Sequence, residues 1–172
     1  MTEFPLCRLG NRPQFDTLPV MKVTRYPLEP RDYKPFAQGI LAVDPQRLYI
    51  RLWAFETPPE PESRMVLRLC GDRELTVRVG PEQAEIRLDN REIQAELAHR
   101  FTGEDLQGKY WGWLLELPAD LIGRLEPGRE LRGNLYKLSE GSRPHTGSFY
   151  EMKDPTCPES AENDGWFQVC EF

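Results

Sequence analysis

Arg132, Asn134 and Tyr136 occupy every second position of Leu131-Arg132-Gly133-Asn134-Leu135-Tyr136-Lys137. On a β-strand alternate residues share a face. This spacing therefore puts a forked donor, an amide and an aromatic ring on one side, with Leu131, Gly133 and Leu135 on the other. A polar, ring-shaped ligand such as a sugar needs that combination, an apolar surface to stack on and planar groups for its hydroxyls. Residues 47–55 repeat the design, with Tyr49, Arg51, Trp53 and Phe55 set against Leu48, Ile50, Leu52 and Ala54. Each strand alone is also what ordinary alternation in an antiparallel sandwich produces. Their occurrence together makes one binding face carrying Trp53, Arg132, Asn134 and Tyr136 an expectation.

Other aromatic platforms are Trp111, Trp113, Tyr150 and Trp166. Trp111 and Trp113 share a strand face with Leu115 and Leu117, so core and ligand readings both stand. Trp53 shares its face with Arg51 and Tyr49, which favours binding. Arg132 has two uses, as a ligand donor or as partner of a buried carboxylate such as Glu56 or Glu116. The same two acids are the pair a glycoside hydrolase would use, though nothing in the sequence sets their separation. No nucleophile motif, phosphate loop or H-E-x-x-H is present. His99 and His145 are isolated, and His145 reads as a surface loop residue. Haem ligation by Met65 and His145 has no supporting spacing. The oxygen-bearing residues of the loop at 153–165 (Asp154, Glu159, Glu162, Asn163, Asp164) fit no EF-hand pattern and read as solvated, with calcium binding as the lesser alternative. No metal or cofactor is expected.

The chain of 172 residues is long enough for one domain with a proper core. A net charge of −6, with arginines spread one per strand, argues against a nucleic-acid partner. No apolar run approaches the ~20 residues that span a bilayer, and no signal peptide is visible. A cytoplasmic protein with free thiols at Cys7, Cys70, Cys157 and Cys170 is expected. A Cys157–Cys170 bridge is the alternative in an oxidising compartment.

Six prolines (Pro5, Pro13, Pro19, Pro27, Pro30, Pro35) mark residues 1–35 as an extended wrap with one short strand near Val20–Tyr26, and argue against a central strand there. Strands are expected at 36–43, 47–56, 65–70, 75–79, 84–88, 110–117, 131–138, 148–152 and 166–172, where alternating runs lie between Gly, Pro and Asp turns. Residues 91–100 suit a short helix or a strand. Pro118 opens a short helical turn through Leu125. The fold class is all-β, a single antiparallel two-sheet β-sandwich over 36–172 with the proline-rich extension laid over it.

Four passages resemble the family 9 carbohydrate-binding modules, within the DOMON-like sandwich group. They are Asp44-Pro45-Gln46-Arg47-Leu48-Tyr49-Ile50-Arg51-Leu52, Trp113-Leu114-Leu115-Glu116-Leu117-Pro118, Arg132-Gly133-Asn134-Leu135-Tyr136-Lys137 and Gly165-Trp166-Phe167-Gln168-Val169-Cys170-Glu171-Phe172, in the family's order. Two departures stand out. Phe149-Tyr150 replaces a family tryptophan, and Asn163-Asp164-Gly165 replaces its "Phe-His" before the closing strand. The resemblance implies a β-sandwich that binds reducing-end sugars between aromatic rings, sometimes with structural calcium. The expected protein is non-catalytic and binds a mono- or disaccharide or a related polar ring. Its ligand-binding residues are Arg51, Trp53, Trp111, Trp113, Arg132, Asn134, Tyr136 and Tyr150. A hydrolase and a protein-interaction scaffold are the competing expectations.

Overall fold

The computed structural model describes residues 3–29, 36–56 and 58–172. Among these, thirteen strands form one continuous sheet. They are β1 (Phe4–Arg8), β2 (Met21–Val23), β3 (Phe36–Val43), β4 (Arg47–Phe55), β5 (Arg64–Cys70), β6 (Glu74–Val79), β7 (Ala84–Leu88), β8 (Arg91–Ile93), β9 (Leu97–Asp105), β10 (Gly108–Pro118), β11 (Glu130–Ser139), β12 (His145–Ser148) and β13 (Gly165–Glu171). Their order is β8-β7-β6-β5-β11-β13-β1-β3-β4-β10-β9, with β12 added to β11 and β2 to β3.

The all-β expectation holds, and two details of the expected sandwich change. The layers are not separate sheets, because β1 hydrogen-bonds to β13 on one side and to β3 on the other. Nor is pairing wholly antiparallel, since both β1 pairings are parallel. Pro5 tolerates this place because β3 meets β1 only through Cys7 and Arg8. At Pro5 the strand has a single ladder neighbour, the edge-like setting proline accepts. The expected wrap is thus partly a strand of the sheet. Phe15, Leu18 and Val20 do pack against Ile40, Tyr49 and Trp53 outside β3 and β4. Pro30 and Pro35 lie outside the described residues. The helical turn expected after Pro118 is instead a pair of tight turns, closed by Leu121 N–H to Pro118 O and Gly123 N–H to Asp120 O.

The sheet folds over so that its two halves enclose the core. Leu48, Ile50 and Leu52 of β4 pack with Leu67 and Leu69 of β5, Val77 of β6, and Leu131 and Leu135 of β11. A methyl added at Gly39 of β3 would touch Leu135 Cδ2 at 2.9 Å, which shows how closely the halves approach. Alternate residues point outward on both sides. Tyr49 and Trp53 join one outer cluster. Tyr136 joins another, with Val66, Leu138 and Met152.

Gly133 is fixed by crowding, since a Cβ there would stand 1.9 Å from the Arg68 carbonyl oxygen of β5. Gly133→Ala is expected to cost at least about 1–3 kcal/mol through a forced backbone shift, visible as a lower midpoint in thermal melts. A melting curve identical to that of the wild type would disprove this reading.

Candidate functional site

The strands place the expected ligand residues on three different surfaces. On the outer face of β4, the Arg51 guanidinium lies 4.4 Å from the Trp53 ring centroid and 4.6 Å from that of Phe101. It covers Trp53, which is 7% exposed and unavailable as a sugar platform. Burial lowers the Arg51 pKa. Gly112, the register partner of both Trp53 and Phe101, leaves the gap that lets those rings approach.

On the outer face of the opposite half, Arg132 is exposed. Asn134 is fully buried and saturated. Its amide donates to Tyr150 O at 3.2 Å and Asn163 O at 2.9 Å, while its oxygen accepts from the N–H groups of Leu135 and Tyr150. Tyr136 is fully buried with its hydroxyl unpartnered among the described residues, and burial raises its pKa. Tyr150 serves as a clasp, accepting from Phe4 N–H at 3.0 Å and donating to Trp166 O. The single face expected to carry Trp53 with Arg132, Asn134 and Tyr136 is therefore not assembled. The core separates the two groups, because strand alternation sends both sets away from the leucines they alternate with.

Trp111 and Trp113 point inward. Trp113 packs on the core and donates to Gly80 O at 2.9 Å. Trp111 belongs to the core and donates from Nε1 to Glu56 Oε1 at 3.0 Å. That bond leads to a buried polar network. Glu56 Oε1 also accepts from Ser63 Oγ at 2.6 Å and lies 3.2 Å from Lys137 Nζ. Lys137 Nζ donates to Ser63 Oγ at 2.5 Å and to His145 Nε2 at 2.8 Å, so its three protons are all used. His145 Nδ1 in turn donates to Arg143 O at 2.8 Å.

Both side chains of the Glu56–Lys137 pair are 0% exposed. Burial pulls Lys137 down to about 8 although Glu56 opposes it. Burial and the Lys137 charge bring His145 down to about 4. His145 is thus an interior neutral acceptor and not the surface loop residue expected. Nearby, the hydroxyls of Ser142 and Ser139 and the Arg143 N–H hold Glu60 at about 2.

Glu56 and Lys137 were detectable in principle. Glu56 continues the inward set Leu48, Ile50, Leu52, Ala54, and Lys137 continues Leu131, Gly133, Leu135. A charge in phase with leucines is the signal. Glu116 takes the other face of β10, where Arg12 meets it at 2.8 Å. The Glu56–Glu116 pair is therefore not formed, and Arg132 partners neither acid. The acidic loop is tied down by Asp164 on Arg68 at 3.1 Å and Glu159 on Arg78 at 2.6 Å.

The network ends at a cavity of about 410 Å³, lined by Glu56, Trp111, Tyr110, Pro59, Thr102, Arg100, Glu104 and Lys109 among others. Its size falls in the range of about 300–1,000 Å³ usual for small-molecule sites. Glu56 Oε1 holds three donors, whereas Glu56 Oε2 is buried with no hydrogen-bond partner among the described residues. An orphaned carboxylate oxygen costs several kcal/mol in principle, and this one belongs to a residue that lines the cavity. Chemically, the lining brings a carboxylate, two cations and a hydroxyl together around one cavity.

No family model and no curated protein matches the sequence. Solved structures are similar. A family 9 carbohydrate-binding module from Caldicellulosiruptor kristjanssonii in complex with cellotriose superposes with a TM-score of 0.68 at 11% identity, over 99% of this chain and 95% of that one. A protein from Bacteroides uniformis, described as a candidate carbohydrate-binding protein, gives 0.67 at 14% identity over 98% and 100%. The Caldicellulosiruptor kristjanssonii family 9 module in complex with glucose gives 0.64 at 11% identity over 98% and 96%. Along nearly its whole length, the chain has the fold of the family 9 carbohydrate-binding modules.

Proposed function

We propose that the protein is a non-catalytic carbohydrate-binding domain, and that a mono- or disaccharide occupies the cavity between Glu56, Trp111 and the β9–β10 hairpin. Glu56, which lines the cavity and whose buried Oε2 has no hydrogen-bond partner among the described residues, carries this reading. Arg100, Lys109 and Thr102 donate to the sugar at the rim, and the Glu56 carboxylate accepts from a hydroxyl once the wall over its buried Oε2 gives way. Lys137, Ser63 and the Trp111 N–H hold Oε1 and so fix the carboxylate's position. Absence of chemistry is supported by the saturation of Glu56 Oε1 and by the location of Glu116 on the opposite face. The fold of the modules that bind cellotriose and glucose supports the ligand class.

Calorimetric titration with glucose and cellotriose tests it. Glu56→Gln keeps the shape and removes the charge, and a hydrogen bond to a charged group contributes about 1.5–3 kcal/mol. Affinity is expected to fall roughly ten- to a hundredfold, with no sugar released on prolonged incubation. Wild-type affinity in a folded Glu56→Gln protein would refute the role of Oε2. Absence of binding across a broad glycan panel would refute the function itself.

A further inference from the structure

Among the described residues the sheet ends on one side in β9, whose far edge has no partner strand there. Edge strands expose unpaired N–H and C=O groups and are normally short, bulged, proline-bearing or covered. The opposite end is short, with only three residues in β8. β9 instead has nine residues, no proline and an unbroken register with β10 from Leu97 to Asp105. Its side chains are mostly exposed. The hairpin closes at Asp105–Gly108, and Glu96 N–H bonds Glu116 O beside the Leu97–Glu116 pair. Odd-numbered residues of β9 therefore direct their backbone groups to β10. Ala98, Arg100, Thr102 and Glu104 direct theirs to the open side.

We propose that this edge is a homodimer interface, in which β9 of one copy pairs antiparallel with β9 of a second copy about a two-fold axis through Thr102. The charges select both the partner and the register. Centred on Thr102, Arg100 of each copy lies opposite Glu104 of the other, His99 opposite Asp105, and Phe101 opposite Gly103. Centred one residue earlier, Arg100 faces Thr102 and Glu104 faces Ala98. Centred one residue later, Arg100 faces the turn at Leu106. In-register parallel pairing opposes like charges. Opposite charges directly across an antiparallel pair stabilise it and like charges do the reverse.

The groups are available for this pairing. Among the described residues Glu104 makes no ion pair, although Lys109 is its register partner on β10. Arg100 commits Nε to Pro81 O and lies a loose 3.8 Å from Glu82, leaving other donors. The apolar side chains flanking the segment are exposed as well, Leu97 at 41% and Leu106 at 107%. Arg100, Thr102 and Glu104 share the inward face with Trp111 and Trp113, so pairing extends that face from one copy to the next and brings their two cavities side by side.

Sedimentation velocity of the full chain over a concentration series tests the interface, with far-UV circular dichroism as the check on folding. The wild type is expected to shift from monomer to dimer. Glu104→Arg sets arginine against arginine twice and is expected to raise the dissociation constant about tenfold or more. Arg100→Glu combined with Glu104→Arg restores complementarity and should restore the dimer. Thr102→Pro deletes the central outward N–H, leaves the β10 ladder intact and should give a monomer. A wild type that stays monomeric throughout overturns the proposal. So does a dimer indifferent to Glu104→Arg and Thr102→Pro, or a charge swap that fails to rescue.

Discussion

Lys137→Met is expected to destabilise the protein by about 3–5 kcal/mol, the cost of leaving a buried charge without its partner. The ammonium is 0% exposed and lies 3.2 Å from Glu56 Oε1, with Ser63 and His145 as its other acceptors. A domain of this size has a total stability of about 5–15 kcal/mol, so the loss is a large share of it. Urea denaturation measures the effect. Adding Glu56→Gln to Lys137→Met removes the stranded charge and should recover much of the loss, a coupling that independent sites would not show. A single-mutant cost below about 1 kcal/mol, as for exposed ion pairs, would show that water reaches the pair and would remove the basis for a pre-set Glu56.

The second large effect is a dependence of stability on pH in two windows. His145 has its folded pKa lowered from 6.5 to about 4. Between those values the unfolded chain binds the proton and the folded chain does not, so stability is present in full above pH 6.5 and is lost as pH falls toward 4. The shift corresponds to a loss on the order of 3 kcal/mol. Protonation would turn Nε2 into a donor facing the Lys137 ammonium, which is the structural origin of the loss. Lys137, lowered from 10.5 to about 8, gives a slope of the same sign at higher pH. Its contribution is absent below pH 8 and grows as pH rises to 10.5. Thermal melts across both windows should show midpoints rising with pH in each. In His145→Gln the acid window should flatten while the alkaline one persists. An unchanged acid slope in that variant would overturn the assignment to His145, because Glu60, lowered from 4.5 to about 2 by its serine hydroxyls, loses its contribution only below pH 4.5.

Much of the strand map was legible because alternation is a local property. Leu48, Ile50 and Leu52 face the core as their spacing requires, and Tyr49, Arg51 and Trp53 face out. Alternation does not say which of two outer surfaces a strand supplies. That depends on how the sheet folds over, which long-range pairing decides, and so Trp53 and Tyr136 were expected together and lie apart. The cavity escaped for a related reason. Its acceptor and its buried cation are charged residues at inward positions, Glu56 at the end of one apolar series and Lys137 at the end of another. Only the folded sheet brings them within 3.2 Å. β9 gave no clear signal because it is exposed on both faces and has no apolar period to read. β1 was read as a wrap because the rule against proline in central strands overlooks a strand whose second neighbour begins two residues past the proline.

The place of β1 also sets an order of events during biosynthesis. Phe4 stands opposite Phe167, so β1 is paired to a strand made long after it. While the ribosome is still extending the chain, β1 has only its two-residue contact with β3, and the seam closing the two halves cannot form. Such sequence-distant pairing slows folding. The facing edges of β3 and β11 therefore stay uncovered until β13 has been made.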